Sequence, residues 1–234
     1  MAKQSTENDR LTWEEIRTEH IVQDEWIDFK RSAYRFPDGS VFEPYYSYSR
    51  RDYVVIVASD TEGNYLCVRQ FRQGIKTVTT EFPAGGIESK DSKFCAESAK
   101  GEADELHAES VEIKVGEFHG KSEESETGKV CCEGEKTTVE EALLAAKREL
   151  LEETGYESDE WRHLLTVPSN ATLADNYAYL FVARNCKRVS GQSLDDTEFL
   201  NVKKYSALEI EEMIKNGEFQ QAVHVAAWLL ACRR

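Results

Sequence analysis

The sequence predicts an α+β fold, in which helices pack on a mixed β-sheet. Four strand-like segments, between Trp26 and Phe71, come before the first convincing helical segment. The strongest helical segment, Thr138 to Thr154, is followed by three more strand-like segments and two closing helical ones. Because sheets and helices each bury one face, strands and helices in this order are typical of helices packed on a sheet.

The composition excludes several classes of protein. Of 234 residues, 29 are Lys or Arg and 44 are Asp or Glu, which gives a net charge of −15. Such a field repels nucleic-acid backbones, but a bound divalent cation can invert the sign locally for a small phosphate ligand. No apolar run reaches the ~18 residues of a membrane span, and residues 1–10 lack a signal-peptide core. We therefore expect a cytoplasmic protein with no membrane or nucleic-acid partner and reduced thiols.

The N-terminal third is predicted to consist of strands. Residues 26–48 divide into two strand-like arms around the turn sequence at 36–40. Residues 53–58 and 65–71 form a second pair, rich in β-branched and aromatic residues, around the turn at 60–64. We place an N-terminal antiparallel strand region at 1–50 and the main domain at 51–234.

A glycine-rich loop and an acidic insert follow these strands. The loop is Glu81-Phe82-Pro83-Ala84-Gly85-Gly86-Ile87-Glu88. Residues 91–133 then hold 12 acidic residues and 5 lysines, or −7 of the net charge of −15. This composition is compatible with an inserted surface element and with a disordered segment, and the sequence leaves both open.

The helix predicted at 138–154 carries the chemically informative residues. A threonine at 137 or 138 can cap it, and Gly155 ends it. At 100° per residue, Glu149, Glu152 and Glu153 share one arc with two alanines of the preceding turns. Three carboxylates repel one another at the helix end where the dipole disfavours acids, so the cluster suits a Mg²⁺ or Mn²⁺ ion. The alternative is a solvated acidic patch.

These residues resemble the signature of the Nudix hydrolase family, Gly-x5-Glu-x7-Arg-Glu-U-x-Glu-Glu-x-Gly-U, where U is aliphatic or aromatic. Residues 148–156, Arg-Glu-Leu-Leu-Glu-Glu-Thr-Gly-Tyr, match its second half in full. The ADP-ribose pyrophosphatase and nucleotide-sugar diphosphatase branch is resembled further by residues 68–72 with 81–88, by 170–172 and by 195–198. The resemblance implies an α/β/α sandwich around a mixed sheet.

The upstream half of the signature departs from this pattern. In relatives the glycine loop and the signature are contiguous, whereas here residues 87–137 separate Gly86 from the helix. Gly134 and Glu140 fall at the formal spacings, but Glu140 lies roughly opposite Glu149 around a helix. Glu135 is the alternative upstream glutamate.

The resemblance also implies an activity and a set of roles. The expected reaction is Mg²⁺-dependent hydrolysis of the pyrophosphate bond of ADP-ribose, which gives AMP and ribose 5-phosphate; Mn²⁺ is an alternative ion. The implied metal ligands are Glu149, Glu152, Glu153 and the carbonyl of Ala84, with Arg148 orienting a glutamate. GDP-mannose or a UDP-sugar is an alternative substrate. A catalytically silent module that senses a nucleotide is the alternative from another class.

The general base and the substrate contacts are implied less directly. The base is expected from a loop after the signature, at Glu198, with Asp195 or Asp196 as second choices. Arg69 and Arg72 are candidate contacts to phosphate or ribose. Because they are three residues apart on a strand, we expect at most one of them to face the site.

Glu81 is expected to hold such an arginine or a ribose hydroxyl. Relatives are commonly homodimers whose N-terminal strands complete the partner's site. Arg51 is then a substrate contact, and the nearby tyrosines either stack on an adenine or pack in the sheet; these are Tyr45, Tyr46 and Tyr48.

Overall fold

The computed structural model describes residues 11–24, 26–88, 137–194 and 199–233 of the chain. The insert predicted at 91–133 lies outside these residues. The described strands are β1 (Glu14–Gln23), β2 (Asp28–Arg35), β3 (Val41–Ser49), β4 (Tyr53–Asp60), β5 (Tyr65–Arg72), β6 (Thr77–Glu81), β7 (Ala84–Gly86), β8 (Tyr156–Glu157), β9 (Glu160–Pro168), β10 (Tyr177–Arg188) and β11 (Leu200–Tyr205). The described helices are α1 (Val139–Thr154), α2 (Ala207–Asn216) and α3 (Ala222–Ala231).

The main sheet is mixed, as the sequence predicts. Its path runs β11-β5-β4-β10-β8, with β6 paired to β5, β7 to β4 and β9 to β10. Strands β4 and β10 are parallel, and the other pairs of this sheet are antiparallel. The predicted pairs of strands are present, although β7 forms inside the segment expected to be a loop.

The central strand β4 explains why helices cover both faces of this sheet. Its side chains alternate, and residues 54–58 are all buried. Val54 and Ile56 join the cluster that holds the alanines of α1. Val55 and Val57 join the opposite cluster, with residues of α2 and α3. A strand that is apolar on both faces therefore lies between two helical layers, which gives the predicted α/β/α arrangement.

Helix α1 begins and ends where local chemistry directs it. Thr138 accepts a hydrogen bond from the Glu141 N–H, and the Glu141 carboxylate accepts one from the Thr138 N–H, which completes a capping box. Gly155 ends the helix at φ +74°, a left-handed conformation that favours glycine. A Cβ on this glycine would lie 2.4 Å from the Ser190 carbonyl oxygen, so the position also lacks space for a side chain.

The N-terminal region forms a separate antiparallel sheet in the order β1-β2-β3. Strands β2 and β3 match the two predicted arms, whereas β1 was not predicted because its sequence, EEIRTEHIVQ, is mostly polar. An aromatic cluster packs on this sheet, and Trp13 contacts Phe36, Tyr34 and Tyr45 at ring-centroid distances of 4.4, 5.9 and 5.8 Å. Tyr45 therefore packs within the sheet, which is one of the two alternatives that the sequence left open for it.

The core of the described residues holds two cysteines as free thiols. No described helix has the length and apolar character needed to cross a membrane. Cys67 and Cys186 are buried free thiols, and burial raises the pKa of each well above its usual value. They are therefore unreactive packing residues.

Candidate active site

The buried face of α1 carries two of the three predicted carboxylates. Glu149 and Glu153 are only 5% and 2% exposed, and they lie one turn apart on the face that Ala142, Ala145 and Ala146 share. We call Glu149 and Glu153 the carboxylate face. Glu152 lies at its edge, with a side chain that is 37% exposed. Glu140 is exposed in the first turn of the same helix.

Strand β7 packs directly against the carboxylate face. A Cβ placed on Gly85 would lie 2.0 Å from the Glu149 carboxyl carbon and 2.2 Å from each of its oxygens. The Ala84 N–H donates a hydrogen bond of 3.1 Å to Glu153 Oε2. A side chain at position 85 would thus clash with the Glu149 carboxylate unless that side chain moved. Glycine in β7 and the small alanines of α1 together allow the strand and the helix to approach closely.

Arg148 ties the remaining groups of the helix to this loop. Its guanidinium donates to Glu149 Oε1 and Glu152 Oε2, both at 2.7 Å, and to the Gly86 carbonyl at 3.0 Å. Burial by itself would lower the pKa of Arg148, but the charges of Glu149 and Glu152 raise it overall. The side chain therefore stays charged and pairs with two glutamates, and its expected role in orienting them stays a prediction.

A third buried carboxylate of the site belongs to Glu81, the last residue of β6. Its side chain is fully buried and receives a two-pronged ion pair from Arg72, with Nε–Oε1 at 2.9 Å and Nη2–Oε2 at 2.5 Å. The Thr79 hydroxyl also donates to Oε1. Burial would raise the pKa of Glu81, yet the hydrogen bonds from Arg72 and the Thr79 hydroxyl, with the charge of Arg72, lower it overall. We call Arg72 with Glu81 the arginine clamp.

Helix α3 completes the surroundings of Glu81. Gln221 Nε2 donates to Glu81 Oε1 at 3.3 Å, and His224 Nε2 lies 4.0 Å from Oε2. The Phe82 N–H donates to His224 Nδ1 at 3.2 Å. Burial lowers the pKa of His224 to about 4, so the ring is neutral near pH 7.

Two adjoining cavities, of 840 and 530 Å³, open over these groups. We call them together the cleft. Glu153 lines the larger cavity and Glu149 the smaller one, while Trp26, Arg50, Arg72 and Ala84 line both. The other cationic side chains of the cleft are Arg69 and Lys203 in the larger cavity and Arg51 and Arg148 in the smaller one.

The cleft corrects one expectation about the arginines. Arg69 and Arg72 both line the larger cavity, although strand alternation predicted that at most one would face the site. Both side chains are long and lie towards the end of β5, so alternation of Cβ directions does not separate their guanidinium groups. The smaller cavity is lined by Arg72 and not by Arg69.

Other predicted residues fall at different distances from the cleft. Arg51 and Tyr48 line the smaller cavity. Tyr46 instead stacks on Phe29 at 5.7 Å between ring centroids. Glu198, Asp195, Asp196, Gly134 and Glu135 lie outside the described residues, so their assignments stay predictions.

The sequence analysis missed several residues of the cleft. Trp26 was treated as a strand residue, and Gln221 and His224 as ordinary residues of a closing helix. No sequence pattern marks the last two, because their partner Glu81 lies on a different part of the chain. Arg50 was assigned no role from the sequence, and it lines both cavities.

The donor set of the carboxylate face fits a hard divalent cation. Glu149 and Glu153 supply carboxylate oxygens, and the Ala84 backbone lies against Glu153. Within residues 11–24, 26–88, 137–194 and 199–233, no group of three or more His, Cys, Asp or Glu side chains converges as a metal site. Glu152 pairs with Arg148, and its expected part in the metal site, beside Glu149, Glu153 and Ala84, stays a prediction.

The comparisons with known proteins bear on the fold. No family model matches the chain. A methanol dehydrogenase activator from Bacillus methanolicus is 30% identical over 89 residues, which are 38% of this chain and 48% of that protein. The chain thus spans about half the length of this curated relative.

A solved structure gives the broader likeness. The crystal structure of an ADP compounds hydrolase superposes with a TM-score of 0.62 at 15% identity, over 94% of this chain and 92% of that one. At this identity the likeness shows the fold, a mixed sheet with a few helices.

Proposed function

We propose that this chain is a Nudix hydrolase that cleaves the pyrophosphate bond of ADP-ribose to give AMP and ribose 5-phosphate, with Mg²⁺ as the metal ion. The observation that carries the proposal is the pair of buried carboxylates facing an arginine-lined cleft. A chain with a net charge of −15 that gathers arginines in one cleft is arranged to bind an anion there. The solved ADP compounds hydrolase of the same fold favours a nucleoside diphosphate derivative as that anion.

The proposed reaction adds the oxygen of one water to one phosphorus and breaks the bond from that phosphorus to the bridging oxygen. The bridging oxygen leaves with the other phosphate, and the attacking water loses a proton. Glu149, Glu152, Glu153 and the Ala84 carbonyl would hold the metal ion. Such an ion neutralises phosphate charge and lowers the pKa of its bound water.

The remaining roles belong to the side chains of the cleft. Arg72 binds a phosphate oxygen, and its fork-like pairing with Glu81 fixes the direction of its guanidinium. Arg148 holds the glutamates in place. The proton of the water is assigned to Glu198 from the sequence alone, since that residue lies outside the described part of the chain.

The test is a product assay with Mg²⁺ across ADP-ribose, GDP-mannose, UDP-glucose, NADH and diadenosine polyphosphates. Preferential release of AMP and ribose 5-phosphate from ADP-ribose is the expected result. Faster turnover of GDP-mannose or UDP-glucose would assign the chain to the other nucleotide-sugar diphosphatases. Binding of ADP-ribose without turnover of any substrate would contradict the enzyme assignment and favour a nucleotide sensor.

We also propose that the chain is a homodimer that pairs through the β1–β3 sheet. This sheet exposes large apolar side chains, among them Trp13, Ile16, Val41 and Phe42. Exposed apolar patches of this kind are typical of protein interfaces. Sedimentation at micromolar concentration should give the mass of two chains, and Phe42→Asp should give that of one. A single-chain mass for the unmodified protein would contradict the proposal.

A further inference from the structure

The N-cap residue of α3, Gln221, contacts the arginine clamp. Gln221 is the N-cap of α3, yet its side chain makes no capping hydrogen bond. The amide donates to Glu81 Oε1 instead. The amide therefore bonds to a buried carboxylate and not to the N-terminus of its own helix.

His224 faces the same carboxylate in one defined tautomer. Its Nδ1 accepts the Phe82 N–H, so Nδ1 carries no proton. Because burial lowers the pKa of His224 to about 4, the ring is neutral and its single proton is on Nε2. Nε2 is the atom that lies 4.0 Å from Glu81 Oε2. The ring thus presents its N–H to the clamp and its lone pair to the loop.

Each ring nitrogen of His224 lies against a different part of the site. On the Nε2 side, Glu81 leads to Arg72, which lines both cavities of the cleft. On the Nδ1 side, Phe82 leads within two residues to Ala84, whose N–H holds Glu153. One buried ring therefore joins the anion-binding clamp to the loop beside the carboxylate face.

We propose that Gln221 and His224 are positioning residues, which fix the arginine clamp and the loop of Phe82 to Ala84 for hydrolysis of a diphosphate. The inference rests on the proposed function. Gln221 and the His224 Nε2 side act on substrate binding, because they fix the carboxylate that directs Arg72. The His224 Nδ1 side acts on the metal ion and on turnover, because it fixes the backbone beside Glu153.

Four variants separate these effects. In His224→Asn the amide oxygen replaces Nδ1 and the Nε2 donor is lost. In His224→Gln the amide reaches the Nε2 position and the Nδ1 acceptor is lost. Gln221→Ala removes the amide donor to Glu81. The matched control is Gln220→Ala, because Gln220 is the exposed neighbour.

The measurements are kcat and KM for ADP-ribose, together with calorimetric dissociation constants for ADP-ribose and for Mn²⁺. Gln221→Ala and His224→Asn should raise KM by about 3- to 10-fold and leave kcat within about 2-fold, the range for one hydrogen bond. His224→Gln should lower kcat by about 10-fold and weaken Mn²⁺ binding. Gln220→Ala should match the unmodified protein.

Two results would overturn the inference. If His224→Asn and His224→Gln change kcat and KM by the same factors, the ring only fills space. If all three test variants have the kinetic and dissociation constants of Gln220→Ala, hydrolysis is unaffected and the positioning role is wrong. If the unmodified protein turns over no substrate, the proposed function fails. The dissociation constants for ADP-ribose and Mn²⁺ then decide alone, and equal constants in every variant overturn the positioning.

Discussion

The cleft joins two buried acidic centres that differ in how their charge is balanced. At the arginine clamp, one carboxylate receives a two-pronged guanidinium, a hydroxyl and an amide. At the carboxylate face, Glu149 shares Arg148 with Glu152, while Glu153 accepts a backbone N–H. The first centre is neutral overall and hydrogen-bonded, whereas the second concentrates carboxylates on one helix face.

This difference predicts that the arginine clamp contributes to stability and the carboxylate face to the reaction. A buried charge with matched partners stabilises a single geometry, and removal of one partner is costly. Like charges held close together repel one another, which lowers the stability of the fold. Such clusters are typical of functional sites, where a ligand of opposite charge can bind them. We therefore expect loss of a charge at the clamp to lower stability and loss of a charge at the carboxylate face to lower activity.

The largest expected effect is on activity, in Glu153→Gln. The variant removes one charge from the carboxylate face and should lower kcat/KM for ADP-ribose by at least about 100-fold, or about 3 kcal/mol. The free energy of unfolding should change by less than about 1 kcal/mol, because repulsion with Glu149 is relieved. Steady-state kinetics and urea unfolding measure both, with the exposed Glu157→Gln as control. A stability loss as large as the activity loss would contradict the comparison.

The next effect is on stability, in Glu81→Gln. The substitution leaves Arg72 without its counter-charge and should lower the free energy of unfolding by about 2–3 kcal/mol. The value stays below that of a fully buried pair because the Arg72 side chain is 36% exposed. Urea unfolding with the exposed Glu211→Gln as control gives the measurement. Unchanged stability would mean that the clamp is not a stabilising ion pair.

A similar effect should appear on acidification, through His224. The folded pKa of about 4 lies below the ordinary value of 6.5, so the unfolded state binds the proton first as the pH falls. Stability contributed by the neutral ring is therefore present above pH 6.5 and is lost as the pH falls towards 4. Between pH 7 and pH 5 the unmodified protein should lose about 2 kcal/mol more unfolding free energy than His224→Asn. Equal losses in urea unfolding would argue against a buried neutral ring.

The smallest effect concerns the shape of the Arg72 cation. Arg72→Lys keeps the charge but loses the planar fork that matches both oxygens of Glu81 and a phosphate. We expect KM for ADP-ribose to rise about 10-fold, or about 1.4 kcal/mol, with kcat nearly unchanged. The exposed Arg162→Lys is the control. A fall in kcat with constant KM would place Arg72 in the chemical step instead of in substrate binding.

The sequence alone predicted the helix that carries the carboxylate face and the residues that share that face. Capping at Thr138, the stop at Gly155 and the arc of Glu149 and Glu153 are local features, and all three are present. They were predictable because an α-helix repeats every 3.6 residues, so neighbours in sequence determine neighbours on its surface. The mixed sheet followed for a similar reason, from β-branched runs separated by turn residues.

Tertiary structure decided the rest of the cleft. The role of Gln221 and His224 depends on Glu81, and no periodicity connects segments that far apart in the chain. Strand β1 escaped prediction because pairing with β2 supplies what its own polar sequence does not. Arg69 and Arg72 share a cavity because side-chain length outweighs strand alternation. Local spacing thus determined which residues share the carboxylate face, whereas packing of distant segments decided which residues surround it.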